Sequence, residues 1–140
     1  AGRLTGAESL VWVLHVGYAF VPLGFLAMAA NAAGWITPAA GQHVWMAGAI
    51  GLMTLAIMSR ASLGHTGRAL TASRATTAVY LALVGSVVAR LVYGIWPEAL
   101  GCRDLAAGLW ILAFGGFAVV YWPVLVRPRI AKKAVSGQRA

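Results

Sequence analysis

The fold is decided by one uncharged stretch, residues 105–126, which reads LAAGLWILAFGGFAVVYWPVLV. A transmembrane helix needs roughly 20 apolar residues to cross a hydrocarbon core of about 30 Å, and this stretch is long enough. Three earlier stretches meet the same requirement, namely Leu10–Ala30, His43–Ser59 and Thr76–Trp96. We therefore predict an all-α membrane protein in which residues 1–140 form a single bundle of four transmembrane helices.

The composition excludes a water-soluble globular protein. Hydrophobic residues make up 61% of the chain and charged residues only 10%, against about 25% charged residues in soluble domains. The formal net charge of +8 would suggest a nucleic-acid partner in a soluble protein. Here the basic residues lie in short breaks between apolar stretches, so the predicted partner is the lipid bilayer and not nucleic acid. The single cysteine, Cys102, excludes an intrachain disulfide framework.

Basic residues are distributed unequally between the two sides of the predicted bundle. Arg103 is the one basic residue in the loops of one side, and Arg90 lies inside a span. The other side holds Arg3, Arg60, Arg68, Arg74, Arg127, Arg129, Lys132, Lys133 and Arg139. Because basic residues resist translocation, both termini are predicted to be cytoplasmic, with residues 127–140 as a basic cytoplasmic tail.

Tryptophan and tyrosine prefer the two interfaces of a bilayer. On this basis Trp35, Trp45 and Trp96 are predicted at the outer interface. Trp12, Tyr121 and Trp122 are predicted at the inner one, which agrees with the orientation indicated by the basic residues.

The first span carries a histidine on what we expect to be its inward face. His15, Tyr18, Pro22 and Phe25 are three or four residues apart and share one side of a helix. A neutral imidazole in this position could ligate heme iron or copper, or donate a hydrogen bond to a carbonyl of an adjacent helix.

The third span contains Arg90, which shares a stripe with Ser86 and Tyr93. A charged residue within a bilayer is costly and is a functional candidate. One interpretation is an ion pair with Glu98 or Asp104. The other is an anion site for a heme propionate or an anionic substrate, which suits the donor geometry of a guanidinium.

A third candidate is the predicted cytoplasmic loop SRASLGHTGR, residues 59–68, in which His65 lies between Arg60 and Arg68. Glycines beside the histidine would let the backbone approach a ligand closely, although the basic residues could equally set topology or contact lipid phosphates. His43 lies about one span away, at the opposite side of the bilayer. A shared metal or heme site is therefore predicted to use His15 and His65, with Met58 as a candidate soft ligand.

Two strings resemble the NnrS family: LHVGYAFVPLGF over residues 14–25 and MSRASLGHTGR over residues 58–68. This is a family of longer bacterial multi-pass membrane proteins associated with denitrification and nitric oxide stress and described as containing heme and copper, and the resemblance is to its C-terminal part. It implies the bacterial inner membrane as location and heme or copper as cofactor. The resemblance supplies no ligand assignment, and the pairing of His15 and His65 rests on their positions along the helices. The candidate cofactor-binding residues are therefore those chosen from the residues themselves: His15, His65, Arg60, Arg68, Tyr18 and Arg90. Whether so short a chain holds the cofactor by itself is left open.

Three functions are compatible with these observations. The first is a heme- or copper-associated protein of nitric oxide metabolism or nitrosative-stress defence. The second is a non-catalytic accessory subunit of a larger respiratory complex, such as a nitric oxide reductase-like one, which would pair the chain with other membrane subunits or with copies of itself. The third is a transporter fragment, indicated by Arg90 and by the intramembrane prolines Pro22 and Pro123.

Overall fold

A computed structural model describes residues 9–129 of the chain, which form four long helices. Helix α1 spans Ser9–Ala32, α2 spans Pro38–His65, α3 spans Arg74–Ile95 and α4 spans Leu100–Val126. Each is long and apolar enough to cross a membrane. The predicted all-α bundle of four transmembrane helices is confirmed. Arg3 and residues 130–140 of the predicted tail lie outside the described residues.

Helices α2 and α3 begin before their predicted spans because capping groups, rather than hydropathy, set their first residues. Helix α2 begins five residues before His43: Thr37 accepts a hydrogen bond from the Ala40 amide and Pro38 occupies the first turn. Helix α3 begins after Ser73, whose hydroxyl accepts from the Thr76 amide at 3.1 Å. Both caps are residue types that favour helix starts in any protein.

Hydrogen bonds between elements show that consecutive helices run antiparallel. The Thr37 amide donates to the Gly94 carbonyl, which joins the start of α2 to the end of α3. The hydroxyls of Thr76 and Tyr121 lie 3.3 Å apart, which joins the start of α3 to the end of α4. We call the end of the bundle that holds Ser9, His65, Arg74 and Val126 the terminal end, and the opposite end the distal end.

Helices α2 and α3 are central and α1 and α4 are peripheral. Within an 18-residue apolar segment of each helix, the buried share of residues is 44% in α2 and in α3, 22% in α1 and 17% in α4. Helix α1 packs chiefly against α2, whereas α3 packs most extensively against α4. The outer helices therefore present long apolar faces, as expected where lipid rather than water surrounds them.

The α1–α2 contact depends on glycine at two crossing points. A methyl group added to Gly24 would overlap the indole ring of Trp45, and one added to Gly48 would overlap the ring of Phe20. The Trp45 indole nitrogen donates to the Val21 carbonyl at 3.0 Å. Trp45, which was predicted at the outer interface, therefore packs its ring in the seam between α1 and α2.

A second departure from the sequence prediction concerns Tyr121. The side chain is 2% exposed, stacks on Phe117 with ring centroids 4.6 Å apart and meets the Thr76 hydroxyl. It is part of the core and not an interfacial anchor, because its hydroxyl finds a partner inside the bundle.

Within α2, residues Val44–Gly51 form a π-helical segment, a rare geometry that occurs often at functional sites.

Candidate functional site

His65 lies at the terminal end, on the last turn of α2, beside an open groove of about 570 Å3. The groove is formed by the ends of α1 and α2 and by the connection to α3. Its lining residues are Leu14, Ile57, Arg60, Ala61, Gly64, His65 and Leu70. We call it the His65 groove; it combines one imidazole and one guanidinium with mostly apolar walls.

The segment predicted as a loop over residues 59–68 is helical as far as His65. Gly67 has a φ of 72°, its amide donates to the Gly64 carbonyl at 3.2 Å, and the Arg68 amide donates to the Leu63 carbonyl at 2.9 Å. These two bonds form a Schellman motif, which ends a helix with a left-handed residue. Gly67, which was predicted to let the backbone approach a ligand, therefore terminates α2.

Arg68 is engaged in a contact between helices. One terminal nitrogen of its guanidinium donates to the Val124 carbonyl at 3.1 Å. Val124 lies in the last turn of α4, where carbonyls lack a helical partner and the helix dipole favours a cation. Arg68 thus ties the α2–α3 connection to α4, and it does not line the His65 groove.

Arg60 differs from Arg68 although both flank His65. Its Nη1 atom is buried and has no hydrogen-bond partner among residues 9–129. The side chain lines the His65 groove. It also lies near the buried Tyr80 hydroxyl, which is close to Ser59 but has no hydrogen bond of good geometry among residues 9–129. Arg60 therefore brings a guanidinium to the groove, while its Nη1 atom lies buried without a partner among residues 9–129.

The polar stripe of α1 faces outward, so the prediction that it faces the bundle interior is wrong. His15 and Pro22 are exposed, and Tyr18 and Phe25 are 71% and 61% exposed. The buried stripe of α1 consists instead of Leu10, Val13, Gly17 and Gly24. Small residues let α1 approach α2 closely, so the glycines rather than the polar side chains define its inward face.

His15 nevertheless lies close to the groove already described. A second open groove of about 400 Å3 is lined by Leu14, His15, Tyr18 and Met53. Leu14 lines both grooves. The structure thus places His15 and His65 at the same end of the bundle, in adjoining grooves that share one wall.

The ring of His15 has one nitrogen engaged. Its Nδ1 lies 2.9 Å from the Val11 carbonyl oxygen, which can only accept, so Nδ1 carries the proton of that hydrogen bond. In the neutral ring Nε2 then holds a lone pair. Histidines that ligate metals characteristically donate their other ring N–H to a carbonyl in this way.

A methionine near His15 was missed by sequence reasoning, which chose Met58. Met58 is 44% exposed and lines neither groove. Met53 lines the groove of His15 because Gly17 lets α1 approach it; a methyl group at Gly17 would meet the Met53 side chain. The sequence feature that could have identified Met53 is its position two helical turns before Arg60, which places both residues on the same side of α2.

Arg90 lies far from these grooves, at the distal end. It does not pair with Glu98 or Asp104: within the described part of the chain the one salt bridge joins Arg103 to Asp104 at 3.0 Å. Its guanidinium carbon lies 5.4 Å from the centroid of the Tyr93 ring. His43 lines the same groove as Arg90, at the opposite end of the bundle from His15 and His65.

The described residues contain no group of three or more His, Cys, Asp or Glu side chains placed to hold a metal ion. A metal at the terminal end would therefore depend on His15, His65 and the thioether of Met53, or arrive as part of a larger cofactor.

Comparison with known proteins gives one match. No curated protein and no solved structure matches the chain. The sequence model of one family, described as NnrS protein, matches residues 1–129. That range covers both the α1 string and the α2 string that resemble this family and all four helices, and the chain therefore belongs to the NnrS family.

Proposed function

We propose that this protein is an integral protein of the bacterial inner membrane that acts in nitric oxide metabolism or in defence against nitrosative stress. The family match over residues 1–129 carries this proposal. The four membrane-spanning helices are consistent with it, since nitric oxide is a small apolar molecule that reaches intramembrane sites freely.

The proposed cofactor site is the pair of adjoining grooves at the terminal end. The side chains there are of the types that ligate heme iron and copper. His15 has Nε2 free, His65 is exposed at the wall of its groove, and both grooves are lined mostly by apolar residues. Imidazole suits both iron and copper, and the Met53 thioether suits Cu(I).

Arg60 adds an electrostatic argument for heme over a bare ion. Arg60 lines the His65 groove and forms no salt bridge among residues 9–129, so its guanidinium has no carboxylate partner there. A guanidinium binds carboxylates in a bidentate manner, and a heme propionate would supply that acceptor. Tyr18, exposed beside His15, would supply a second polar group at the rim.

When bound, heme iron or copper would supply a redox centre and a coordination position for nitric oxide. The residues of this chain would hold and orient it: the Val11 carbonyl keeps the His15 ring in one tautomer. The Schellman motif at Gly67 sets the position of His65 at the helix end. Leu14 forms the wall that the two grooves share.

The proposal is tested by purifying the protein and its histidine variants and measuring the Soret absorbance and the copper content per chain. His15→Ala and His65→Ala should each lower the cofactor content several-fold. His43→Ala is the matched control, because its Nδ1 also bonds a carbonyl four residues earlier, at 2.6 Å, but at the distal end. Unchanged content in both test variants, or a loss confined to His43→Ala, would contradict the assignment.

A second candidate, an accessory subunit of a larger membrane complex, is favoured by the incomplete packing of α1. An apolar groove of about 690 Å3 separates α1 from α3 near the distal end, with Phe20, Leu23, Val88 and Leu91 in its walls. A further helix, from another subunit or a second copy of the chain, would close it. Co-purification of a partner from native membranes with no chromophore in this chain would favour this candidate.

We further propose that both termini are cytoplasmic, on the strength of the basic residues at the terminal end. Reporters fused after Ala140 test this orientation. A cytoplasm-dependent fluorescent reporter should be active there and a periplasm-dependent phosphatase inactive. The reverse result would place His15 and His65 on the periplasmic side.

A further inference from the structure

The distal end carries a groove that the proposed cofactor site does not use. It lies between α3, α4 and the start of α2 and measures about 430 Å3. Its walls are formed by His43, Ser86, Arg90, Arg103, Ala106, Ala107, Trp110 and Ile111. We call it the distal groove; three of its side chains can carry positive charge and none carries negative charge.

Arg90 is the charged group of this groove that lacks a counter-charge. Its Nε atom is buried and has no hydrogen-bond partner within residues 9–129. Tyr93 covers the guanidinium at 5.4 Å from ring centroid to Cζ, which holds it in place but satisfies no N–H group. Because an unpaired donor in a low-dielectric region is costly, this guanidinium favours an acceptor supplied from outside residues 9–129.

The neighbouring polar groups do not supply that acceptor. Arg103 is half-exposed and forms a salt bridge with Asp104. The Asp104 side chain is 69% exposed and does not line the groove. His43 has Nδ1 on the Ala39 carbonyl. The Ser86 hydroxyl donates to the Ala106 carbonyl at 2.8 Å and forms the floor of the groove.

The walls change from polar to apolar along α4. Arg103 lies in the first turn of α4, and the next residues to line the groove are Ala106, Ala107, Trp110 and Ile111. From Arg103 to Ile111 the helix rises about 12 Å, at about 1.5 Å per residue. Trp110 and Ile111 are 47% and 65% exposed, so the deeper part opens sideways toward the hydrocarbon.

A soluble anion would use only the polar end of such a groove. A phospholipid uses both: its phosphate lies at the depth of the helix ends and its acyl chains lie against the deeper apolar wall. The net positive charge of the lining favours an anionic lipid over a zwitterionic one.

We propose that the distal groove binds one anionic phospholipid. Its phosphodiester accepts hydrogen bonds from Arg90 and from Arg103, and one acyl chain lies along Trp110 and Ile111. Arg90 is the principal determinant, because its Nε has no acceptor among residues 9–129 and its charge has no salt-bridge partner there. This proposal is independent of the cofactor at the terminal end and does not require the proposed function.

The test is native mass spectrometry of the whole chain released from bilayers that contain equal amounts of phosphatidylglycerol and phosphatidylcholine. The wild-type protein should retain one phosphatidylglycerol in preference to phosphatidylcholine. Arg90→Gln should lower that retention about tenfold, the order expected for loss of hydrogen bonds between charged groups. Arg90→Lys, which keeps the charge and loses the planar fork, should lower it less.

Arg74→Gln is the matched control, since Arg74 is an exposed arginine at the terminal end and should bind no lipid at this site. Equal retention of the two lipids by wild-type protein would overturn the proposal without reference to any variant. Displacement of the retained lipid by millimolar inorganic phosphate would also overturn it, by showing that a soluble anion is sufficient. Retention unchanged in Arg90→Gln and lowered in Arg74→Gln would place the lipid at the other end of the bundle.

Discussion

Two arginines, one toward each end of the bundle, have different partners. Arg68, at the terminal end, donates to the free carbonyl of Val124 and joins the α2–α3 connection to α4. Arg90, toward the distal end, has a buried Nε without a partner and forms no salt bridge among residues 9–129. Arg60, at the terminal end, resembles Arg90, since its buried Nη1 also lacks a partner among those residues. The difference teaches that an arginine in a membrane protein is a functional candidate only after the carbonyls at helix ends have been considered as acceptors.

The strongest test of the comparison concerns how closely the helices approach at each end. At the distal end a methyl group on Gly94 would overlap Ala40 of α2, whereas at the terminal end one on Gly64 would make only an ordinary contact with Leu70, at 3.8 Å. We expect Gly94→Val to lower the free energy of unfolding by about 1–3 kcal/mol or more. Gly64→Ala should raise it by about 0.5–1 kcal/mol, since alanine is the better helix former.

Unfolding of both variants in detergent, followed by circular dichroism, measures these changes. Wild-type stability of Gly94→Val would mean that α2 and α3 do not approach each other at the distal end as described.

The second prediction compares the two arginines directly. Arg68→Gln should destabilise the protein by about 1–2 kcal/mol, because it removes a charge-assisted hydrogen bond to a helix C-terminus. Arg90→Gln, measured in lipid-free detergent, should change stability by less than about 0.5 kcal/mol, since no hydrogen bond within the described chain is lost. Thermal unfolding of the two variants side by side is the measurement, and a larger loss for Arg90→Gln would invert the comparison.

The third prediction uses one glycine near each end. Gly67 follows α2 with a φ of 72°, and Gly34 follows α1 with a φ of 77°. A side chain in this left-handed region costs about 1–2 kcal/mol. Gly34→Ala should therefore destabilise by about 1 kcal/mol, and Gly67→Ala by somewhat more because it also displaces Arg68. Asparagine at either position should recover part of the lost stability. Urea titrations measure the free energies of unfolding, and unchanged values for both alanine variants would contradict the prediction.

The smallest expected effect concerns two tyrosines in the terminal half. The Tyr121 hydroxyl meets Thr76, whereas the buried Tyr80 hydroxyl has no partner among the described residues. Tyr121→Phe should cost about 0.6 kcal/mol, typical of a hydrogen bond between membrane helices. Tyr80→Phe should be neutral or slightly stabilising, since it removes a buried unpaired group. Equal losses in steric-trap unfolding would show that Tyr80 has a polar partner after all.

Much of the candidate site could be predicted from the chain alone. His15 and His65 were assigned to one end and His43 to the other by counting residues along helices, and the structure agrees. The roles of Gly67 and Arg68 were not predicted. A Schellman glycine and a ligand-binding glycine have the same sequence pattern, and only the hydrogen bonds of the folded helix distinguish them.

The face of α1 could not be derived from its sequence for a different reason. Both of its stripes are largely apolar, so the contrast that identifies the buried side of a soluble helix is absent. In a membrane the closest packing, rather than the greatest hydrophobicity, decides which side faces a neighbour. Gly17 and Gly24 were visible in the sequence, but their partners Met53 and Trp45 were not.

The sequence by itself determined the number of helices, the class of the protein and the end of the bundle at which each histidine lies, because these follow from hydropathy, helix length and charge along one dimension. Only the tertiary structure decided which side of α1 is buried, that Arg68 caps α4 and that Arg90 is left without a carboxylate. Those outcomes depend on which side chains meet across helices, and distances between residues far apart in the chain are set by packing in three dimensions.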